Sequence, residues 1–171
     1  MITNIDIDMF KQECDAYIHS CNCLTGCWGG LAGIMRRNYP EAYDADLKTA
    51  KSDPKKLGTY SVAQSKKDGR YIYNLYGQFN VGVFERQTNY EAFYIGLEAI
   101  KNNMVTLGLK SCALPKFIGS ALGGANYSII EKMIEVVFEN SGIDVYICNY
   151  DPTKPVTINN PSVDDVHWYG N

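Results

Sequence analysis

Lys116-Phe117-Ile118-Gly119-Ser120-Ala121-Leu122-Gly123-Gly124-Ala125-Asn126-Tyr127 is the stretch that decides how this chain folds. It follows an apolar strand, Cys112-Ala113-Leu114-Pro115, passes through three glycines and predicts a helix from about Ser128. A glycine-rich turn between strand and helix exposes backbone N–H groups at the positive helix end, which suits a phosphate. After Lys116 the loop holds no charged residue, so its grip on an anion rests on backbone groups.

The flanking sequence extends this strand–loop–helix unit in both directions. Ser128-Ile129-Ile130-Glu131 reads as a capping box, with Ile130, Met133, Ile134 and Val137 along one helical face. Thr88-Asn89-Tyr90-Glu91 reads as another, followed by Phe93, Tyr94, Leu97, Ile100 and Met104 at helical spacing. Two more helices are predicted over residues 31–37, ending before Pro40, and 41–51, stopped by Asp53-Pro54. Strand-like runs occupy residues 2–7, 16–20, 60–64, 71–75, 110–114 and 144–149, and Lys67-Asp68-Gly69 turns the third into the fourth. Strands alternating with helices predict an α/β fold, three layers (α/β/α) around a central mixed sheet of about six strands. In such sheets ligands sit beyond the carboxyl ends of the strands.

At 171 residues one domain is expected, and 46% hydrophobic with 20% charged residues is an ordinary globular balance. A net charge of −3 gives no electrostatic footprint for nucleic acid or an anionic membrane. The lysines between residues 48 and 56 read as the solvated end of a helix. The 13 tyrosines offer stacking faces to an aromatic ligand and serve equally as amphipathic packing residues. The first residues lack the layout of a signal peptide and no apolar run reaches membrane-span length, which predicts a cytoplasmic protein with reduced cysteines. Cys21, Cys23 and Cys27 do not have zinc-site spacing and form no C-x-x-C pair, so no metal and no cofactor are expected. Pro152, Pro155, Pro161 and Asn159-Asn160 forbid a long regular element near the end. Residues 151–171 are therefore set apart as a tail on or near the domain, with Trp168 and Tyr169 either anchoring it or covering a site, and His167 lacking a partner.

A second glycine loop precedes the first in the chain: His19-Ser20-Cys21-Asn22-Cys23-Leu24-Thr25-Gly26-Cys27-Trp28-Gly29-Gly30-Leu31-Ala32-Gly33-Ile34. Neither loop has the lysine and hydroxyl of G-x-x-x-x-G-K-[ST], nor the G-x-G-x-x-G and acidic ribose ligand of a Rossmann unit. Two uncharged loops suggest a diphosphate held by backbone N–H groups.

The chain resembles the macrodomains that bind ADP-ribose, in particular the short stand-alone group that processes ADP-ribose-1''-phosphate. The resemblance is carried in order by His19-Ser20-Cys21-Asn22-Cys23, Trp28-Gly29-Gly30-Leu31-Ala32-Gly33, Tyr39-Pro40-Glu41-Ala42-Tyr43, Asn74-Leu75-Tyr76-Gly77-Gln78, Thr88-Asn89-Tyr90-Glu91-Ala92 and residues 118–127, and it spans residues 1–150. It implies that Asp8 accepts from the adenine amino group and that Asn22 reaches the distal ribose. Gly29, Gly30, Leu31, Ala32 and Gly33, with Gly119, Ser120, Ala121, Leu122, Gly123 and Gly124, would wrap the diphosphate and that ribose. Asn149 or Tyr150 would meet the adenosine. Locally, Asp8 is also a plausible turn acid, and Asn22 a left-handed turn residue.

The resemblance also bears on chemistry. Where one subgroup keeps an aspartate this chain has Ala32, and where another pairs a lysine with an aspartate it has Gln78 and Gly123. Glutamine forms no Schiff base and glycine moves no proton, which disfavours lysine-dependent removal of protein-linked ADP-ribose. Asn126 has no titratable proton and is equally an ordinary helix-start residue. His19 resembles the strand-end histidine of the phosphatase-like members and, with Asn22, is the catalytic candidate. The competing reading is a structural imidazole within Ala16-Tyr17-Ile18-His19, and Ser20 is similarly open. The expected function is binding of ADP-ribose or a derivative, with hydrolysis of a distal-ribose group such as the 1''-phosphate. The alternative is a non-catalytic module that sequesters such nucleotides. A monomer of bacterial or phage origin is expected, with that small molecule as its partner and neither nucleic acid nor membrane.

Overall fold

The computed structural model describes residues 1–150. The regions assigned to the tail, including Trp168, Tyr169 and His167, lie outside the described residues. Six strands, β1 (Ile2–Ile5), β2 (Ala16–Asn22), β3 (Tyr60–Gln64), β4 (Tyr71–Gln78), β5 (Ser111–Pro115) and β6 (Asp144–Cys148), form one sheet in the order β1-β6-β5-β2-β4-β3. Only β3 runs antiparallel to its neighbour, because the tight turn at Lys67-Asp68-Gly69 returns the chain directly. Gly69 takes a φ of 75° there, and Ser65 N donates to Arg70 O at 2.8 Å.

The helices α1 (Gly30–Asn38) and α2 (Pro40–Leu47) cover one face, and α3 (Tyr90–Thr106) and α4 (Tyr127–Phe138) the other. Alternation along each strand supplies both cores. Ile18, Tyr73, Leu75, Cys112, Leu114, Val145 and Ile147 pack on Phe93, Leu97, Ile100 and Met104 of α3 and on Ile130 and Ile134 of α4. Tyr17, Ile72, Ala113 and Cys148 face the other way, toward Met35 and Ala42. The expected three-layer α/β/α architecture with a six-stranded mixed sheet is therefore what the chain adopts.

Both capping boxes mark helices, but neither Thr88 nor Ser128 is the cap. Asn89 Oδ1 accepts from Ala92 N at 2.9 Å, and Asn126 Oδ1 from Ser128 N at 3.0 Å. Thr88 is instead drawn into an antiparallel bridge with Gln78. The first strand ends at Ile5 rather than residue 7, where Asp8 begins a short 3₁₀ turn, Met9–Lys11. Helix α2 ends at Leu47 rather than residue 51, as Thr49 N and Oγ1 both turn back to Asp46 O. Strands β2 and β4 extend beyond residues 20 and 75, to Asn22 and Gln78. No helix among the described residues is long and apolar enough to cross a membrane.

Candidate functional site

The carboxyl ends of the parallel strands β2, β5 and β6 point to one edge of the sheet, and both glycine loops leave from that edge. The first loop leaves β2 at Asn22, whose Oδ1 accepts from Leu24 N (3.0 Å) and whose Nδ2 donates to Cys27 O (2.7 Å). The left-handed kink falls on Thr25 (φ 57°) and Gly26 (φ 76°), not on Asn22. A fully buried carboxylate on α2 holds this kink. Asp46 Oδ2 accepts from Gly26 N at 2.8 Å and from Trp28 Nε1 at 2.9 Å, while Oδ1 accepts from Tyr76 OH at 2.7 Å. Lys56 Nζ pairs with Asp46 Oδ1 at 3.5 Å and donates to Thr25 Oγ1 at 2.7 Å. The lysine is thus buried rather than part of a solvated helix end, because its charge is needed beside Asp46. Beyond Trp28 the chain enters α1 with Gly29 as N-cap and no side-chain capping bond, so the first amides of α1 are left for another acceptor.

The second loop is organised by backbone. Phe117, Gly119 and Gly124 have φ of 66°, 70° and 69°. Gly123 O accepts from Gln87 N (2.9 Å) and Thr88 N (3.0 Å), and Gly119 O accepts from Thr88 Oγ1 (2.7 Å) and Ala125 N (3.1 Å). A Cβ at Gly123 would collide with Thr88 Oγ1 and Gly119 O, so this loop has no room for a side chain there.

Between the loops lies a cavity of about 750 Å³, within the usual size of small-molecule sites (roughly 300–1,000 Å³). Its walls are residues 29–32, 115–123 and 148–150, with Ser20 and Gln78. Among the described residues Lys116 is its only charged lining residue. Ser20 Oγ and Ser120 Oγ are buried without a hydrogen-bond partner.

Of the residues singled out from sequence, Gly29, Gly30, Leu31, Ala32, Gly119, Ser120, Ala121, Leu122, Gly123 and Asn149 line this cavity. Asn149 also donates from Nδ2 to Asp6 Oδ1 at 3.1 Å. Asp8, His19, Asn22, Gly33 and Gly124 are not among its walls. Asp8 is buried and accepts from Phe10 N at 3.0 Å. Gly124 borders a smaller hollow that shares Ala121 and Leu122 with the cavity wall. His19 is turned to the opposite face of the sheet from Ser20. Its Nε2 lies 2.7 Å from Asn74 Oδ1, its ring packs edge-on against Trp28 at 5.0 Å, and burial pulls its pKa down to about 4. The structure therefore corrects its placement as a cleft residue: period-two alternation puts a buried, neutral imidazole behind the first loop. Sequence reasoning missed Asp46, Lys56 and Thr88 as organisers of the loops, and Pro115 and Cys148 as cavity walls. No local pattern marks any of them.

No family model matches the chain. It is 30% identical over 157 residues to an uncharacterised 17.5 kDa protein from the tk–vs intergenic region of phage T4, covering 86% of this chain and 94% of that protein. It is 28% identical over 149 residues to human ADP-ribose glycohydrolase OARD1, covering 85% and 90% respectively. Its fold is similar to the macrodomain of Mycobacterium tuberculosis DarG, with a TM-score of 0.73 at 20% identity over 90% of this chain and 99% of that one. It is also similar to Thermosipho africanus DarTG in complex with ADP-ribose, with a TM-score of 0.71 at 19% identity over 91% and 43%.

Proposed function

We propose that this chain, which belongs to the macrodomain family, binds ADP-ribose or an ADP-ribose derivative in the cleft between its two glycine loops. The observation that carries the proposal is a pair of facing, uncharged loops whose peptide groups border one cavity at the carboxyl edge of the sheet. Backbone N–H groups at an uncapped helix start and in a left-handed turn hold a diphosphate by many short dipoles, and Lys116 adds one positive charge at the wall. Tyr150 and Asn149, at the end of β6, offer an aromatic face and an amide to the base. Calorimetric titration of the full chain with ADP-ribose tests the reading. One-to-one binding is expected, and no detectable binding overturns it.

The similarity to an ADP-ribose glycohydrolase favours a second reading, hydrolysis of a group on the distal ribose. The polar side chains at the cavity wall for such a step are Ser20, Gln78, Lys116, Ser120, Asn149 and Tyr150. None of them is a carboxylate or an imidazole, so positioning and backbone stabilisation of charge would have to carry the rate. Incubation with ADP-ribose-1''-phosphate, following released phosphate, separates the two readings. Binding without release is expected. Release that is abolished in a folded Gln78→Ala or Ser20→Ala variant would establish the phosphatase reading instead.

A further inference from the structure

Beyond the second glycine loop, residues 81–84 present an apolar surface that the cleft itself does not use. Phe84 is fully exposed, and Val83 and Leu122 are 71% and 62% exposed. Large apolar side chains left in water together mark a place where something binds. They border a hollow of about 290 Å³ whose wall includes Ala121 and Leu122, and those two residues also line the main cavity. The hollow is therefore a neighbour of the cleft, sharing residues 121 and 122 with it.

This shelf is part of the second loop's framework rather than an independent loop tip. Gln87 N and Thr88 N both donate to Gly123 O, and a Cβ on Gly124 would come within 3.3 Å of Arg86 Cα. At its other end, Gln78 Nε2 donates to Asn80 O at 2.8 Å, and Asn80 Oδ1 accepts from Val81 N at 2.9 Å. Arg86 also lines the hollow, and its guanidinium lies 4.4 Å from the centre of the Tyr90 ring. The shelf is thus a flat aromatic ring and two aliphatic groups beside one acidic and one basic residue, Glu85 and Arg86.

On the ADP-ribose reading, a diphosphate on the two loops and a base beside Tyr150 would direct the other sugar toward Leu122, which lines both the cleft and the hollow. We propose that the Val83–Phe84–Leu122 shelf receives a flat aromatic group attached to the distal ribose. The preferred ligand is then an ADP-ribose carrying an aromatic substituent at C1'' rather than ADP-ribose itself. This rests on the ADP-ribose reading of the cleft. The shelf stacks the group on Phe84 and removes apolar area from water on both sides. Its size favours such a group over a protein partner, since a stable interface uses roughly 20–30 residues a side.

The test compares two ethers that differ only in the ring, the 1''-O-methyl and 1''-O-benzyl derivatives of ADP-ribose, each as both anomers, titrated into the full chain and into Phe84→Ser. Phe84 makes no buried contact, so the variant keeps the fold. For at least one anomer the benzyl ether is expected to bind about tenfold tighter than the methyl ether. That advantage disappears in Phe84→Ser while affinity for ADP-ribose is unchanged. Equal affinity of the two ethers, an advantage that survives Phe84→Ser, or rejection of both ethers by a chain that binds ADP-ribose would overturn the inference and leave the cleft reading standing. Failure of ADP-ribose and both ethers to bind overturns both.

Discussion

The two glycine loops border one cavity yet are held by opposite means. The first is fixed by side chains: a buried carboxylate takes Gly26 N and Trp28 Nε1 on one oxygen, with a buried lysine and a tyrosine hydroxyl on the other. The second is fixed mainly by peptide groups: Gly123 O and Gly119 O accept from three backbone N–H groups and one hydroxyl, Thr88 Oγ1, and the loop needs the absence of a side chain at Gly123. One loop is vulnerable to loss of charge and the other to added volume. The same task, presenting N–H groups to an anion, has two structural solutions within one cleft.

The largest expected effect breaks the first solution alone. Asp46→Ala leaves Lys56 buried without its counter-ion and strips Gly26 N, Trp28 Nε1 and Tyr76 OH of their acceptor. Removing one partner of a buried pair costs about 3–5 kcal/mol, far more than the pair itself contributes relative to an apolar replacement. Urea denaturation should show a loss of that size. Hydrogen exchange should rise at Gly26 while Gln87 and Thr88, which tie the second loop, stay protected. Equal loss of protection at both loops would mean that they are not held independently.

A somewhat smaller effect sharpens the contrast through pH. His19 packs behind the first loop against Trp28, and burial lowers its pKa from 6.5 to about 4. In the unfolded chain the imidazole takes up a proton below pH 6.5, whereas the folded chain does so only near pH 4. Between those values the unfolded state binds more protons, so stability is full above 6.5 and falls as pH drops through the window. The single group accounts for up to about 3 kcal/mol of that fall. His19→Gln should flatten the stability profile between pH 6.5 and 4 relative to the parent, read as the difference between two denaturation series. An unchanged slope would show that the imidazole is not held neutral where it sits.

The same contrast explains which parts could be read from sequence. The course of the second loop was legible because its signals are local: glycines, an adjoining apolar strand and a helix start lie within 17 residues from Cys112 to Ser128, although Gln87 and Thr88, which tie it, are distant in sequence. The capping boxes located both helices, yet an asparagine took the cap in each, one residue after Thr88 in the first and two before Ser128 in the second. An Asn side chain accepts as readily as Ser or Thr at that position, so the pattern fixes the turn more firmly than the residue. The first loop was legible only in outline. Asp46 meets Gly26, Trp28 and Tyr76 across 20, 18 and 30 positions, and nothing in a helix that reads Pro-Glu-Ala-Tyr-Asp-Ala-Asp-Leu singles out its last acid for burial. His19 and Ser20 show a different limit. They are neighbours within β2, and alternation gives the cleft to only one of them, but the face is set by which helices cover the sheet.

The smallest effect tests the second solution by adding one carbon. Gly123→Ala places a methyl where Thr88 Oγ1 and Gly119 O already stand, and its own φ is not in the left-handed region, so the penalty is collision rather than backbone strain. Overpacking of this kind costs about 1–3 kcal/mol, taken up here by movement of the loop. Thermal denaturation should show that loss with the pH profile between 6.5 and 4 unaltered, since His19 and Asp46 belong to the other loop. Adding Thr88→Ala to the same chain clears one of the two obstacles and releases the Oγ1 bond to Gly119 O. It should recover only part of the loss, because the Gly119 carbonyl still blocks the methyl and is fixed by its bond from Ala125 N. Full recovery would assign the crowding to the threonine side chain alone, and the second loop would then depend on side chains as the first one does.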